Sequence, residues 1–244
     1  MKRIKELTAL AATPLLLIGA FFVASSGQSY AAPSPAATAN TIKLAAAPAS
    51  LKFHTEASAT GTVASSDKVA PSTVAHTYTH TFPAPASVCA QIKQAHPNLR
   101  IGATCNYTQT FHVGAAQVVK SAGALQPATV TPASTYTVSD WSQLCAVTCA
   151  LWHNKVSSAF YFTGGKVWVD YLDCNDSGGI GYTVSVTWCG TYHNGATSQT
   201  GSSMNDGDDF TVSAVAKGVP ISASHWQRIN CNVDGQTWVT SDGH

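Results

Sequence analysis

Between Asp173 and Val184 the chain reads DCNDSGGIGYTV, and its first half has the spacing of a calcium loop. Asp173, Asn175 and Ser177 fall at the first, third and fifth positions, where an EF-hand places oxygen ligands, and Gly178 falls at the sixth, where such a loop turns sharply. The twelfth position should carry a bidentate Glu, and it is Val184. Only Asp173 and Asp176 remain as carboxylates, so the stretch is expected to join two strands as a hairpin rather than to hold a metal. A calcium alternative needs oxygens from a second loop, and NDGDDF, with Asp206, Asp208 and Asp209, would supply them. No other cofactor is implied.

A second cluster lies in CAVTCALWH, where Cys145, Cys149 and His153 follow one another at four-residue steps. On a helix they would line one face and could ligate zinc, but the usual close-spaced pair with a matching distant pair is absent. Seven cysteines, at 89, 105, 145, 149, 174, 189 and 231, read instead as a disulfide framework with one thiol left over. Cys89 and Cys105 are the pair most clearly set apart, and Cys145 and Cys149 are expected to tie their helix to two strands through Cys174, Cys189 or Cys231. Nucleophilic catalysis needs a base within reach of an activated thiol or hydroxyl, and no local signature of such a site is present. A small hydrolase built from turn residues would draw on Asp170, His193 and His225.

The aromatic residues point to binding. Trp168, Trp188, Trp226 and Trp238 fall on strand-like runs, and flat rings stack on sugars while neighbouring polar side chains bond hydroxyls. At least two of the four are expected in the core. In KVWVDYLDC, period-two alternation puts Val167, Val169 and Tyr171 on one face and Trp168, Asp170, Leu172 and Cys174 on the other. Trp168 with Asp170, and Trp226 with Arg228 and Asn230, are therefore the expected ligand residues on the surface.

The elements that must position these groups follow from composition. Lys2, Arg3 and Lys5 precede an apolar run from Leu7 to Ala24 and a small-residue exit at Ser29 and Ala31, the order of a secretory signal over residues 1–31. Its short basic start fits a bacterial exporter. Residues 32–80, rich in Ala, Ser, Thr and Pro, are expected to be a disordered tether. Residues 81–128 read as a small subdomain with a helix from about Ser87 to Pro97, a strand over Asn106–Val113 and a Cys89–Cys105 bridge, followed by a linker at 129–137. Residues 138–244 hold all six Trp, with a helix N-capped by Ser139 or Asp140 over WSQLCAVTCALWHN and then six strand-like runs. Turn residues at Gly164-Gly165, Ser177–Gly179, Asn194-Gly195, Asn205–Gly207 and Asp234-Gly235 separate those runs.

The expected fold is mainly β: a disulfide-stabilised antiparallel sandwich or barrel-like domain with one or two short helices. Only 10% of residues are charged and the net charge is +1, too little to neutralise a nucleic-acid backbone. The expected function is a secreted, non-catalytic module at the cell surface, free of the membrane once its signal is cleaved, with a polysaccharide or cell-envelope polymer as partner. The alternatives are the small extracellular hydrolase and an envelope protein crosslinked through its spare thiol.

Overall fold

A computed structural model describes residues 42–58, 61–98, 100–102, 105–119, 134–147, 149–179, 181–193, 200–216 and 219–242. The expected signal segment, the Asn194-Gly195 turn and the whole 120–133 stretch lie outside these residues. In chain order the elements are β1 (Phe53–Ser58), β2 (Gly61–Ser66), β3 (His76–Pro83), α1 (Ala86–Ala95), β4 (Asn106–Val113), β5 (Gln117–Val119) and β6 (Thr135–Ala146). They continue as β7 (Trp152–Phe162), β8 (Val167–Gly178), β9 (Tyr182–His193), β10 (Thr200–Gly201), β11 (Ser203–Ala216), β12 (Val219–Asn232) and β13 (Thr237–Asp242). A first sheet runs β1-β2-β13-β12-β11-β9 and a second runs β10-β8-β7-β6-β4-β3, with β5 paired to β6; the pairings are antiparallel. The expected mainly β, sandwich-like fold is what the chain adopts.

Period-two patterning builds these strands. Along β7 every second residue from Trp152 to Phe162 is buried, and along β4 the inward set is Tyr107, Gln109, Phe111 and Val113. The inward apolar residues form two clusters, one around Phe111, Phe160, Phe162 and Ile229, the other around Tyr107, Leu144, Trp152 and Phe210. Helix α1 adds Cys89 and Ile92 to the second cluster.

Several sequence expectations are corrected. The helix over WSQLCAVTCALWHN is instead the end of β6, a turn and the start of β7: Val138, Asp140, Ser142 and Leu144 are buried at period two, and Asp140 caps nothing but accepts the Gly114 N–H at 3.0 Å. Cys145 and Cys149 pair with each other across that turn rather than with distant strands, with Cα atoms 4.9 Å apart. Val147, between them, holds a left-handed φ of 51°, a conformation a β-branched residue keeps only when its surroundings impose it.

The described part of the 32–80 stretch is not a free tether. It supplies β1, β2 and the start of β3, β2 pairs with β13, and Ile42, Leu44, Leu51 and Phe53 pack on the first apolar cluster. Small Ala, Ser and Thr side chains lower its hydrophobicity, yet they suit strands half covered by a neighbouring layer. Nor is 81–128 a separate subdomain, because β4 pairs with both β3 and β6 in the second sheet, and β6 itself begins inside the expected 129–137 linker. The predicted helix (Ala86–Ala95), the Asn106–Val113 strand and the Cys89–Cys105 bridge are all present.

Cys174 and Cys189 form the third disulfide. The leftover thiol is Cys231, fully buried beside Ile229 and Val239 in the first apolar cluster, and burial pushes its pKa up. A thiol so placed is inert and gives no support to the crosslinked-envelope alternative. A thiol-reactive chromophore is expected to find no thiol on the native protein and one after denaturation without reductant; prompt labelling of the native protein would contradict this arrangement.

Candidate functional site

The gap between the sheets holds a line of buried polar side chains as well as the two apolar clusters. Ser241 Oγ donates to Gln109 Oε1 at 3.2 Å, Gln109 Nε2 to Ser142 Oγ at 3.3 Å, and Ser142 Oγ to Gln227 Oε1 at 2.9 Å. Gln227 Nε2 donates to the Asn154 side-chain and main-chain oxygens, and Asn154 Nδ2 to Asp208 Oδ2 at 2.6 Å. Beside this line, Asp206 accepts from Ser158 and from Thr191, the latter at 2.6 Å. The line crosses between the sheets at Gln109–Ser241, Ser142–Gln227, Gln227–Asn154 and Asn154–Asp208, so the inward faces of β6 and β7 lie directly opposite those of β11 and β12.

The outward residues of those strands carry the aromatic groups. On the first sheet, Trp226 and Trp188 flank Asp209 in one cross-strand row, while Arg228 sits in the next row beside Gly207 and Gly190. The Arg228 guanidinium lies 4.9 Å from the Trp188 ring centroid and 5.5 Å from that of Trp226, and it donates to the Asp209 carboxylate and to the Asp208 and Gln227 carbonyl oxygens. Two glycines make this possible. A Cβ on Gly190 would come within 2.4 Å of the Trp188 indole, and one on Gly207 within 2.4 Å of Arg228 Cδ and 2.1 Å of the Gln227 carbonyl oxygen. Of the expected trio, Trp226 and Arg228 belong to this cluster. Asn230 is only 8% exposed and spends its amide on the Trp238 carbonyl and the Thr240 hydroxyl. Trp188 and Asp209 complete the cluster, and sequence patterning did not single out Trp188 as a ligand residue.

On the second sheet, Trp168 stacks on Tyr161 with centroids 5.5 Å apart, and the Tyr161 hydroxyl donates to Asp170 at 3.2 Å. The predicted alternation in β8 fails beyond Val169. The register slips there against β7, leaving Asp170 as an extra residue, so that Tyr171 faces solvent at 53% exposed while Leu172 and Cys174 turn toward the core. A further cluster stands on β4, β6 and β7: the rings of His112 and Trp141 stack 5.3 Å apart, and Lys155 Nζ lies 4.5 Å from the Trp141 centroid. None of Trp168, Trp188, Trp226 and Trp238 is buried, against the expectation of two in the core; the buried tryptophan is Trp152.

Of the hydrolase residues, Asp170 and His225 are not brought together. Asp170 is outward on the second sheet, whereas His225 is buried on the first, its Nδ1 2.8 Å from Asp242 and its ring boxed by Tyr107, Trp152 and Phe210. His193 ends β9, and its side chain lies outside the described residues. The two calcium stretches are not loops, since Asp173 and Asp176 sit within β8 and Asp206, Asp208 and Asp209 within β11. Nor do β8 and β9 pair as a hairpin: they arch from one sheet to the other, closed by Cys174–Cys189. Among the described residues no three His, Cys, Asp or Glu side chains converge as a metal site, and no helix is long and apolar enough to cross a membrane.

No protein-family model, curated protein or solved structure matches the chain.

Two consequences can be measured. Gly207→Ala forces overlap with a backbone carbonyl, so it is expected to cost about 1–3 kcal/mol and to lower the melting temperature by several degrees; an unchanged melting temperature would contradict the packing of Arg228. Asp208 is fully buried with Oδ1 unpartnered, and burial raises its pKa from an ordinary 3.8 to about 7. The fold therefore keeps this proton after the unfolded chain has released it, so stability falls as pH rises from about 4 to about 7 and changes no further above that. His80 and His112, whose pKa values burial lowers, act oppositely below about pH 6.5. The Asp208 contribution is thus the difference between the wild type and Asp208→Asn: the gain in melting temperature from pH 8 to pH 5 should be about 5 °C smaller in the variant. Coincident pH profiles would refute it.

Proposed function

We propose that the protein is an exported, non-catalytic binding module that holds a neutral polysaccharide of the cell envelope or its surroundings against its outer sheet faces. The observation that carries this reading is the Trp188–Arg228–Trp226 cluster. Its cation is already matched by Asp209 and by two main-chain carbonyls, so it presents rigid aromatic surface without an unmatched charge. Such a surface suits an uncharged, polyhydroxylated chain whose C–H faces stack on rings. Rings locked by neighbours lose little conformational entropy on binding, which favours affinity from few contacts.

Export is supported by the basic, apolar and small-residue order of the N-terminal segment and by the engagement of six of the seven cysteines in disulfides. The same short basic start favours a bacterial source. The Trp168–Tyr161–Asp170 cluster on the second sheet fits the same ligand chemistry, with a stacked ring pair and an adjacent carboxylate able to accept from sugar hydroxyls.

Retention of the secreted protein on insoluble cellulose, chitin, xylan and bacterial cell-wall sacculi tests this reading. The combined variant Trp168→Ala, Trp188→Ala and Trp226→Ala is expected to reduce retention on the bound polymer by at least about tenfold, since each lost stacking contact removes about 1 kcal/mol. A folded variant with undiminished retention, or a wild type retained on none of the four, overturns it.

A further inference from the structure

The two sets of outward rings stand back to back. Trp226 and Arg228 flank Gln227 on β12, and Gln227 reaches across the interior to Ser142 and Asn154. Ser142 is flanked on β6 by Trp141, and Asn154 on β7 by Lys155, which lies against the Trp141 ring. Because neighbouring residues in a strand point to opposite faces, Trp226 and Arg228 project from one side of the molecule at the point where Trp141 and Lys155 project from the other. The Trp168–Tyr161 stack shares that second face, further along the strands.

From this arrangement we infer that the protein bridges two glycan chains, one on each outer face. The inference rests on the glycan reading above and adds valency to it. The second face offers ring stacking to the same ribbon-like β-linked polymer: its rings are rimmed by the small hydroxyl residues Thr110, Ser139 and Ser157, Asp170 is bonded to Tyr161, and Lys155 and Asp173 can bond sugar hydroxyls beside them. Sheets packed face to face are about 10 Å apart, so chains stacked on the outer rings would run about 20 Å from each other with the sandwich between them. One flat polymer surface cannot reach both faces, and the two sites therefore give no avidity on a single surface. They join separate chains instead.

The test uses the full secreted chain and two probes, a soluble mixed-linkage β-glucan and a short oligosaccharide cut from it. Calorimetric titration with the oligosaccharide should reach two equivalents per protein. Light scattering from the intact polymer should rise with added protein, pass through a maximum, and fall at protein excess, when each chain is coated and bridging partners run out. Removing the first face with Trp188→Ala and Trp226→Ala, or the second with Trp141→Ala and Trp168→Ala, should leave one equivalent and abolish the scattering maximum. The single replacements Trp226→Tyr and Trp168→Tyr, which preserve a ring, should retain it. Wild type that takes up one equivalent and never scatters overturns bridging while leaving the binding reading intact, and this outcome requires no variant to fold. Wild type that takes up neither probe overturns bridging, whereas the binding reading is decided separately by retention on the insoluble polymers.

Discussion

The constraint on which the rest of this fold depends is the hydrogen-bonded line inside the sandwich, from Ser241 through Gln109, Ser142, Gln227 and Asn154 to Asp208. Apolar side chains between two sheets tolerate small sliding movements, because dispersion and burial are non-directional. Buried amides and hydroxyls do not. If one sheet shifted by a single residue against the other, most of these groups would lose their partners, and each orphaned buried group costs about 1–3 kcal/mol. The line therefore selects one alignment of β6 and β7 over β11 and β12, and a buried network of this kind specifies structure more than it adds stability. By fixing which residues look inward, it also fixes which residues look outward, so the half-buried outward Trp and Arg clusters inherit their geometry from groups that never meet solvent.

The disulfides act where that line does not reach. Cys89–Cys105 ties α1 to the chain entering β4, at the end of the sandwich where the second apolar cluster lies. Cys145–Cys149 closes the turn that leads from β6 to β7. Cys174–Cys189 joins β8 to β9 where the chain passes from the second sheet to the first. All three close short loops, so each restricts the unfolded chain modestly, by about 3 kcal/mol for a loop of some 15 residues and less for the shortest. Their placement at an end, a turn and an edge adds covalent closure where the polar line gives none. Cys231, in the middle of the first apolar cluster, serves as a small packing residue.

What the sequence made legible follows the same division. The strands with clean period-two patterning, β4, β12 and β13 among them, could be read directly, as could the helix stopped by Pro97 and the Cys89–Cys105 pair. The turns at Gly164 and Gly235 were legible because each glycine carries a positive φ that other residues adopt at a cost. Polar inward residues were the principal source of error. NDGDDF has the composition of a turn, yet it lies within β11 because Asp206 and Asp208 find Ser158 and Asn154 across the interior and Thr191 on the neighbouring strand β9, a match no local window contains. The four-residue spacing of Cys145, Cys149 and His153 imitated a helix face, and the Ala- and Ser-rich N-terminal strands imitated disorder, since tertiary pairing outweighed weak local preference in both.

Of the candidate site, Trp168, Asp170, Trp226 and Arg228 were legible as outward residues, but the means by which Trp188 joins them was not. On β9, Val184 is buried and Val186 partly buried on the inward face, and strict alternation would turn Trp188 inward as well. A register slip opposite Asp209 and Phe210 leaves Thr187 as an extra residue, and from there the phase is reversed: Trp188 and Gly190 face out, while Cys189 and Thr191 face in. The slip at Asp170 does the same to β8, turning Cys174 in. The two bulges lie on the two legs of one arch, and the Cys174–Cys189 bond requires both, since either strand read at constant phase would carry its sulfur on the outer face. The bulge that brings Cys189 to its partner thus also delivers the indole against which Arg228 lies. At this edge the covalent closure of the sandwich and the construction of its aromatic surface are one structural event, and neither could be altered without the other.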